Sequence, residues 1–305
     1  MTRTSILRDW RTKAVLQKGL SLLPSAGRVN YVFQRRITKT LPITDAKLRT
    51  SAEGAKRHLA AYEQHAGDTP LGEAQLFEFG AGWDLHNPLL FFAHGVNHQT
   101  VVDLFRFVRP ELVMDALRRL PALVDDAARA RLASVTPTPT ADLDALTEAL
   151  GVVYQAPADA RATNLANGSI DFVTSSSVLE HIPRDDIASI LRELRRILRP
   201  GGVCSFFIDA GDHFARFDKS IASNNFLRYS EKQWSRFVAD LSYHNRLRYP
   251  QYMELFAQAG FTVLSEEHWA GGSWELDRAQ VHSDFQKFSD DDLAITAIHV
   301  VLTPG

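Results

Sequence analysis

Short apolar runs recur along this chain, at 75–79, 100–103, 151–154, 170–175 and 203–209, and again at 260–264 and 294–302. Helix-length segments separate the first five. Runs this short and this apolar have no polar face to offer to solvent, so they need cover on both sides. Their alternation with helices predicts an α/β fold, a doubly wound, mostly parallel sheet of seven strands with helices on both faces.

The plainest helix is expected over 184–199. Ile187, Ile190, Leu191, Leu194 and Leu198 form one apolar stripe at helical spacing. Asp185 and Asp186 suit its first turn, and Arg195, Arg196 and Arg199 suit its last. Pro200-Gly201-Gly202 is expected to stop it and turn the chain into the fifth strand. Residues 105–150 exceed a simple crossover and read as a helical insertion, with one helix through Leu112, Met114, Leu117, Leu120 and Leu123 and another through Leu143, Leu146 and Leu150. The Thr/Pro run at 136–140 is a loop. Residues 45–65 are helical, and Gly67-Asp68-Thr69-Pro70 ends them. The expected organisation is a basic helical N-terminal extension over 1–70 and one domain over 71–305, in which 210–250 faces the substrate.

Charge separates these parts. Residues 1–40 hold nine basic groups (Arg3, Arg8, Arg11, Lys13, Lys18, Arg28, Arg35, Arg36 and Lys39) against Asp9 alone. The remainder carries 25 basic and 35 acidic residues. An acidic body gives no push toward nucleic acid. The basic stretch is amphipathic up to Pro24-Ser25-Ala26-Gly27, with Trp10, Val15, Leu16, Leu20, Leu22 and Leu23. Such a segment can lie on an anionic membrane surface. The plainer reading is a helix packed on the domain with a solvated basic face, and an organelle transit segment is a third. No apolar window is long enough to cross a bilayer, and the first residues lack the apolar core of a secretory signal, so the expected compartment is the cytoplasm. The single cysteine, Cys204, can build neither a disulfide framework nor a multi-cysteine zinc site, and its place among Phe206 and Phe207 marks a buried packing residue.

Glu78-Phe79-Gly80-Ala81-Gly82-Trp83-Asp84 follows the first strand, and Asp103 closes the second. This is the layout of a nucleoside-binding crossover. Glycines let the backbone approach the ligand, and a carboxylate at the second strand's end accepts hydrogen bonds from ribose hydroxyls. A dinucleotide's pyrophosphate needs a helix N-terminus beside the glycines. Here Asp84 would repel it, and helix entry reads late, with Asn87 as N-cap and Pro88 at the first helical position. S-adenosylmethionine (SAM) has a ribose, no phosphate, and a positive sulfonium and amino group, with which Glu78 and Asp84 are compatible.

The stretch from Gly168 through Ile182, with Glu180-His181, and then Leu198-Arg199-Pro200-Gly201-Gly202-Val203, resembles the class I SAM-dependent methyltransferases. The resemblance covers about 75–265 and the last strand, and is of the type 11 kind found among bacterial glycan and natural-product genes. It implies a Rossmann-like sheet whose seventh strand runs antiparallel between the fifth and sixth. It also implies that Gly80 and Gly82 approach the methionine moiety and Glu78 its amino group. Asp103 would hold the ribose with Leu104 beside the adenine, and Asp159-Ala160 would meet the adenine amino group. Ser175 or Ser176 would line the pocket, and Trp83 counts with this cofactor set. Asp84 departs from the family's fuller glycine motif.

Methyl transfer is an in-line displacement, so much of the protein's contribution is positioning. An oxygen acceptor also needs a base. The candidates are His213 with Asp209 or Asp212, and His181, for which a structural role in the loop is the plainer reading. The Asp/His cluster could hold a divalent metal, but no compact ligand spacing demands one, and no metal is expected. The aromatic, Arg and Asn content of 209–250 suits a polar small-molecule acceptor, a saccharide or lipid-linked glycan precursor, with arginines gripping phosphate or carboxylate. The alternatives are a nicotinamide-dependent oxidoreductase and a non-catalytic binding module of the same fold. The oligomeric state is not readable.

Overall fold

A computed structural model describes residues 9–21, 31, 34–35, 40–135, 142–238, 243–271 and 277–305. The expectations resting on Arg3, Arg8, Leu22 through Arg28, Arg36, Lys39 and the loop at 136–140 lie outside these residues.

In chain order the elements are α1 (Trp10–Ser21), α2 (Asp45–His65), β1 (Gln75–Phe79), α3 (His86–Ala93), β2 (His98–Val102), α4 (Pro110–Arg119), α5 (Asp126–Ser134), α6 (Leu143–Ala149), β3 (Val152–Gln155), β4 (Ile170–Ser176), α7 (Arg184–Ile197), β5 (Leu198–Asp209), α8 (Glu231–Trp234), α9 (Tyr249–Gln258), β6 (Phe261–Ala270), α10 (Asp290–Ala294) and β7 (Ile295–Pro304). The seven strands form one sheet in the order β3-β2-β1-β4-β5-β7-β6. β7 is antiparallel to both β5 and β6, and the other pairs are parallel. The expected sheet and the expected place of its last strand are both borne out.

The period of two along each strand sorts the core into two layers. Leu76, Val101, Phe172 and Val203 point to one face, covered by α2 through α6. Their neighbours Phe77, Val102, Val173 and Cys204 point to the other, under α7 and α9. Cys204 is fully buried, as its surroundings predicted. In α7, Ile187, Ile190, Leu191, Leu194 and Ile197 are buried, so the stripe read from the sequence is the face that meets the sheet. The helix ends at Ile197, earlier than expected. Leu198 already pairs with Ile170, and Pro200-Gly201-Gly202 lies inside β5 at a break in register rather than between the two elements. Arg199 therefore pairs with buried Asp171 at 2.7 Å instead of closing the helix.

The insertion is helical, but in three pieces. Asp125 caps α5 by accepting from the Ala128 amide, a helix that the leucine spacing did not single out. A third, smaller apolar cluster joins the N-terminal helix to the segment after β5: Trp10 packs with Phe226, Leu227, Trp234, Phe285 and Leu293. The Trp10 amide donates to Asp218 Oδ2 at 3.2 Å. Thus the Trp10 and Ala14 face of α1 is buried in protein, while Val15 and Leu16 are exposed. Among the described residues no helix is long and apolar enough to cross a membrane.

Candidate active site

The strand order reverses between β1 and β4, and open parallel sheets place ligands beyond the strand C-termini at such a point. A cleft of about 740 Å³ opens there. Its floor is the glycine turn. Gly80 has φ +89°, and a Cβ on it would collide with Val178 Cγ2. Gly82 has φ +66°, and a Cβ there would meet nothing within 4 Å. The first glycine therefore lets the chain pass another loop, and the second leaves backbone open toward the cleft.

α3 starts earlier than the expected Asn87-Pro88 boundary. Leu85, in the left-handed region at φ 51°, is its N-cap, without a side-chain bond. Asn87 instead turns toward β1, where its Nδ2 donates to Glu78 Oε1 at 3.2 Å. Glu78 is buried in β1, and its Oε2 has no partner. Burial pushes its carboxyl up to about 8, against the pull of Asn87. Asp84 is also buried, and accepts from His86 Nδ1 at 2.6 Å. It is engaged by the first turn of α3.

Asp103 and Leu104 line the cleft after β2, and Asp159 and Ala160 line it after β3. Asp103 Oδ1 accepts from the Phe105 amide at 3.0 Å. Burial raises its pKa, while the amides of Phe105, Gly82, Ala81 and Leu104 pull it down. Asp159 is held by Arg161 at 2.7 Å, which lowers its pKa, and Arg161 also reaches Asp186. Ser176 lines the cleft and bonds His58 Nε2 at 2.9 Å. Ser175 is buried instead, donating to the Phe79 carbonyl at 3.2 Å. Trp83 stands outside the lining, stacked on Phe107 at 4.7 Å.

The far end of the cleft gathers three imidazoles. The rings of His213 and His244 lie 4.3 Å apart, and that of His181 is 5.0 Å from His213. Desolvation lowers all three pKa values, that of His181 to about 4. His213 Nε2 is 3.3 Å from Asp209 Oδ2, too poorly aligned for a hydrogen bond, and Asp209 is itself ion-paired with Arg216. Asp212, pushed up to about 6 by burial, accepts from the Phe214 amide. Beneath the rings lies Glu180, fully buried, its carboxyl raised to about 7 by desolvation. The cleft also takes Lys13 and Gln17 from α1, Lys47 from α2, and Phe214 and Tyr243.

The sequence did not mark Glu180, His244 or the α1 and α2 residues as site residues. His181, His213 and His244 are spread along the chain with no spacing to relate them. The reading of 209–250 as an acceptor grip needs correction. Arg248 is wholly buried, its guanidinium donating to the carbonyls of Ile295 at 3.1 Å and Ala210 at 2.6 Å. Arg246 donates to the carbonyls of Phe226 and Tyr229, and Asn245 to those of Leu179 and Ile182. A loop-rich cap buries carbonyls that no strand or helix satisfies, and these side chains satisfy them.

Residues 121–206, from the middle of the insertion through most of β5, match the family model described as "Methyltransferase domain". A protein from Pyrococcus horikoshii OT3 has the same fold, with TM-score 0.50 at 14% identity over 90% of this chain and 98% of that one. An S-adenosylmethionine dependent methyltransferase from Mesorhizobium loti aligns with TM-score 0.46 at 15% identity over 83% and 99%. No curated protein matches. Sheet order and the antiparallel β7 give the fold of the class I SAM-dependent methyltransferases, and the segment 121–206 within it matches a methyltransferase domain. The residues present fit SAM as the cofactor: Glu78 Oε2 is an orphaned buried acceptor and Gly82 leaves space beside it.

Proposed function

We propose that this enzyme methylates a hydroxyl of a polar small molecule, a saccharide or glycolipid precursor. The observation carrying this reading is that one cleft runs from the glycine turn and Asp103 to the His213 corner. Gly80 and Gly82 let the backbone lie against the methionine moiety. Glu78, oriented by Asn87, receives its amino group. Asp103 accepts from the ribose, Leu104 flanks the adenine, and Asp159 and Ala160 meet its amino group, with Ser176 at the side. When bound, SAM supplies a sulfonium methyl group, which an acceptor oxygen takes in line as the C–S bond breaks and its electron pair stays on sulfur.

At the other end, Phe214 and Tyr243 offer faces and edges on which a sugar ring can stack. His213 takes the hydroxyl proton, with His181 packed beside it and Asp209 3.3 Å from its Nε2. Lys13 and Gln17 give the N-terminal helix a part in the acceptor wall. A cytoplasmic enzyme would suit such precursors, and the exposed Val15 and Leu16 would suit one presented at a membrane surface.

The experiment is calorimetric titration with S-adenosylhomocysteine, NADH as control, followed by a turnover screen with sugars and glycolipids. Micromolar binding of the former and transfer to a hydroxylated acceptor are expected. Turnover only with an amine or carbon acceptor would overturn the acceptor assignment.

A further inference from the structure

The His213 corner holds a carboxylate for which methyl transfer has no use. Glu180 is 0% exposed, and neither of its oxygens has a hydrogen-bond partner. Lys47 and Arg216 act on it from a distance without bonding it. A buried polar group left unpaired is costly and calls for a partner.

Two imidazoles converge on the same point. One ligand atom from each of Glu180, His181 and His213 lies within 4.8 Å of the others. Bound ligands sit about 3 Å apart around a cation with ~2 Å bonds, so small side-chain rotations close the set. His181 Nδ1 donates to the Tyr243 carbonyl at 2.7 Å, which leaves Nε2 as the free lone pair. That is how a metal-binding histidine is ordinarily fixed. His213 Nε2 is buried without a bonded partner. Two nitrogens and one carboxylate favour a first-row transition metal over Mg²⁺ or Ca²⁺, which prefer oxygen throughout.

We propose that Glu180, His181 and His213 bind one divalent first-row transition-metal cation at the acceptor end of the cleft. Its role, which rests on the methyl-transfer reading, is to hold the acceptor oxygen and make its hydroxyl more acidic. His213 is then a ligand rather than the base, and the acidified hydroxyl gives up its proton to water in the cleft.

The test is a titration of the tag-free full chain with Co²⁺ after chelator treatment, followed by calorimetry and by the d–d absorption of the bound ion. One equivalent at micromolar affinity or tighter is expected. Glu180→Gln and His213→Ala should each weaken it at least about tenfold, as even supporting groups do in metal sites, while His98→Ala on the surface should not. If Glu180→Gln fails to fold, His213→Ala carries the test, because that position is partly exposed. Absence of binding, or binding that both variants leave unchanged, overturns the proposal. S-adenosylhomocysteine titrated into the same samples separates the two readings: its binding without Co²⁺ binding removes the metal alone, and Co²⁺ binding without it removes the proposed cofactor site alone.

Discussion

Asn87 donates to Glu78 across 3.2 Å, and so ties the first turn of the helix after the glycine loop to a carboxylate buried in the central strand. The bond leaves one carboxylate oxygen unpaired and fixes the direction in which it is offered.

That carboxyl sits near 8, well above an ordinary glutamate, because burial disfavours its charge. It is mostly protonated at pH 7 and must ionise to pair with an amino group. S-adenosylhomocysteine binding should therefore release close to one proton at pH 7, read by calorimetry in buffers of different ionisation enthalpy. Affinity should rise about tenfold per pH unit up to pH 8. The stability sign is opposite: a raised acid pKa costs nothing below about 4.5 and progressively more as pH rises toward 8. Glu78→Gln should lose the proton release and gain stability over the parent at about pH 8, not at about pH 4.

The two glycines of the turn should fail differently. Gly80→Ala meets Val178 and a left-handed φ, so it should lose about 1–3 kcal/mol of stability. Gly82→Ala meets only the backbone strain and open space. It should fold with a smaller loss, and its main effect should be weaker cofactor binding. Thermal melting and calorimetry on both variants check this.

Arg248 should be structural. Arg248→Met keeps bulk but strips the carbonyls of Ile295 and Ala210 of their donors. Unpaired buried acceptors cost ~1–3 kcal/mol each, so a lower melting temperature is expected before any specific effect on turnover.

Trp10→Ala should cost about 3–5 kcal/mol locally, because Trp10 is 1% exposed at the centre of the third cluster. The release of α1 would be seen as faster proteolysis within 9–21. Unchanged proteolysis would show that this helix does not depend on the cap.

β1, β4 and the stripe of α7 are legible in the sequence because each is a local pattern: a short apolar run bounded by turn residues, or a period of 3.6. The glycine turn and Asp103 are legible because strand, turn and acid follow one another closely in the chain. The end of α7 is not, because Leu198 fits a helical stripe and a strand equally well, and pairing with Ile170 decides it. Asn87 resembles a cap because composition cannot say which carbonyl or carboxylate a side chain will meet.

Local pattern thus determined the layers, the strand count and the glycine-turn end of the cleft, where neighbours in sequence are neighbours in space. The His213 end came from long-range packing. Lys13, Lys47, Glu180, His213 and His244 arrive from five separate segments, and their meeting depends on how the cap and α1 close over the sheet. The same closure decided which polar side chains were spent. Arg246, Arg248 and Asn245 could have faced a ligand, but the carbonyls of a cap without regular structure required them first.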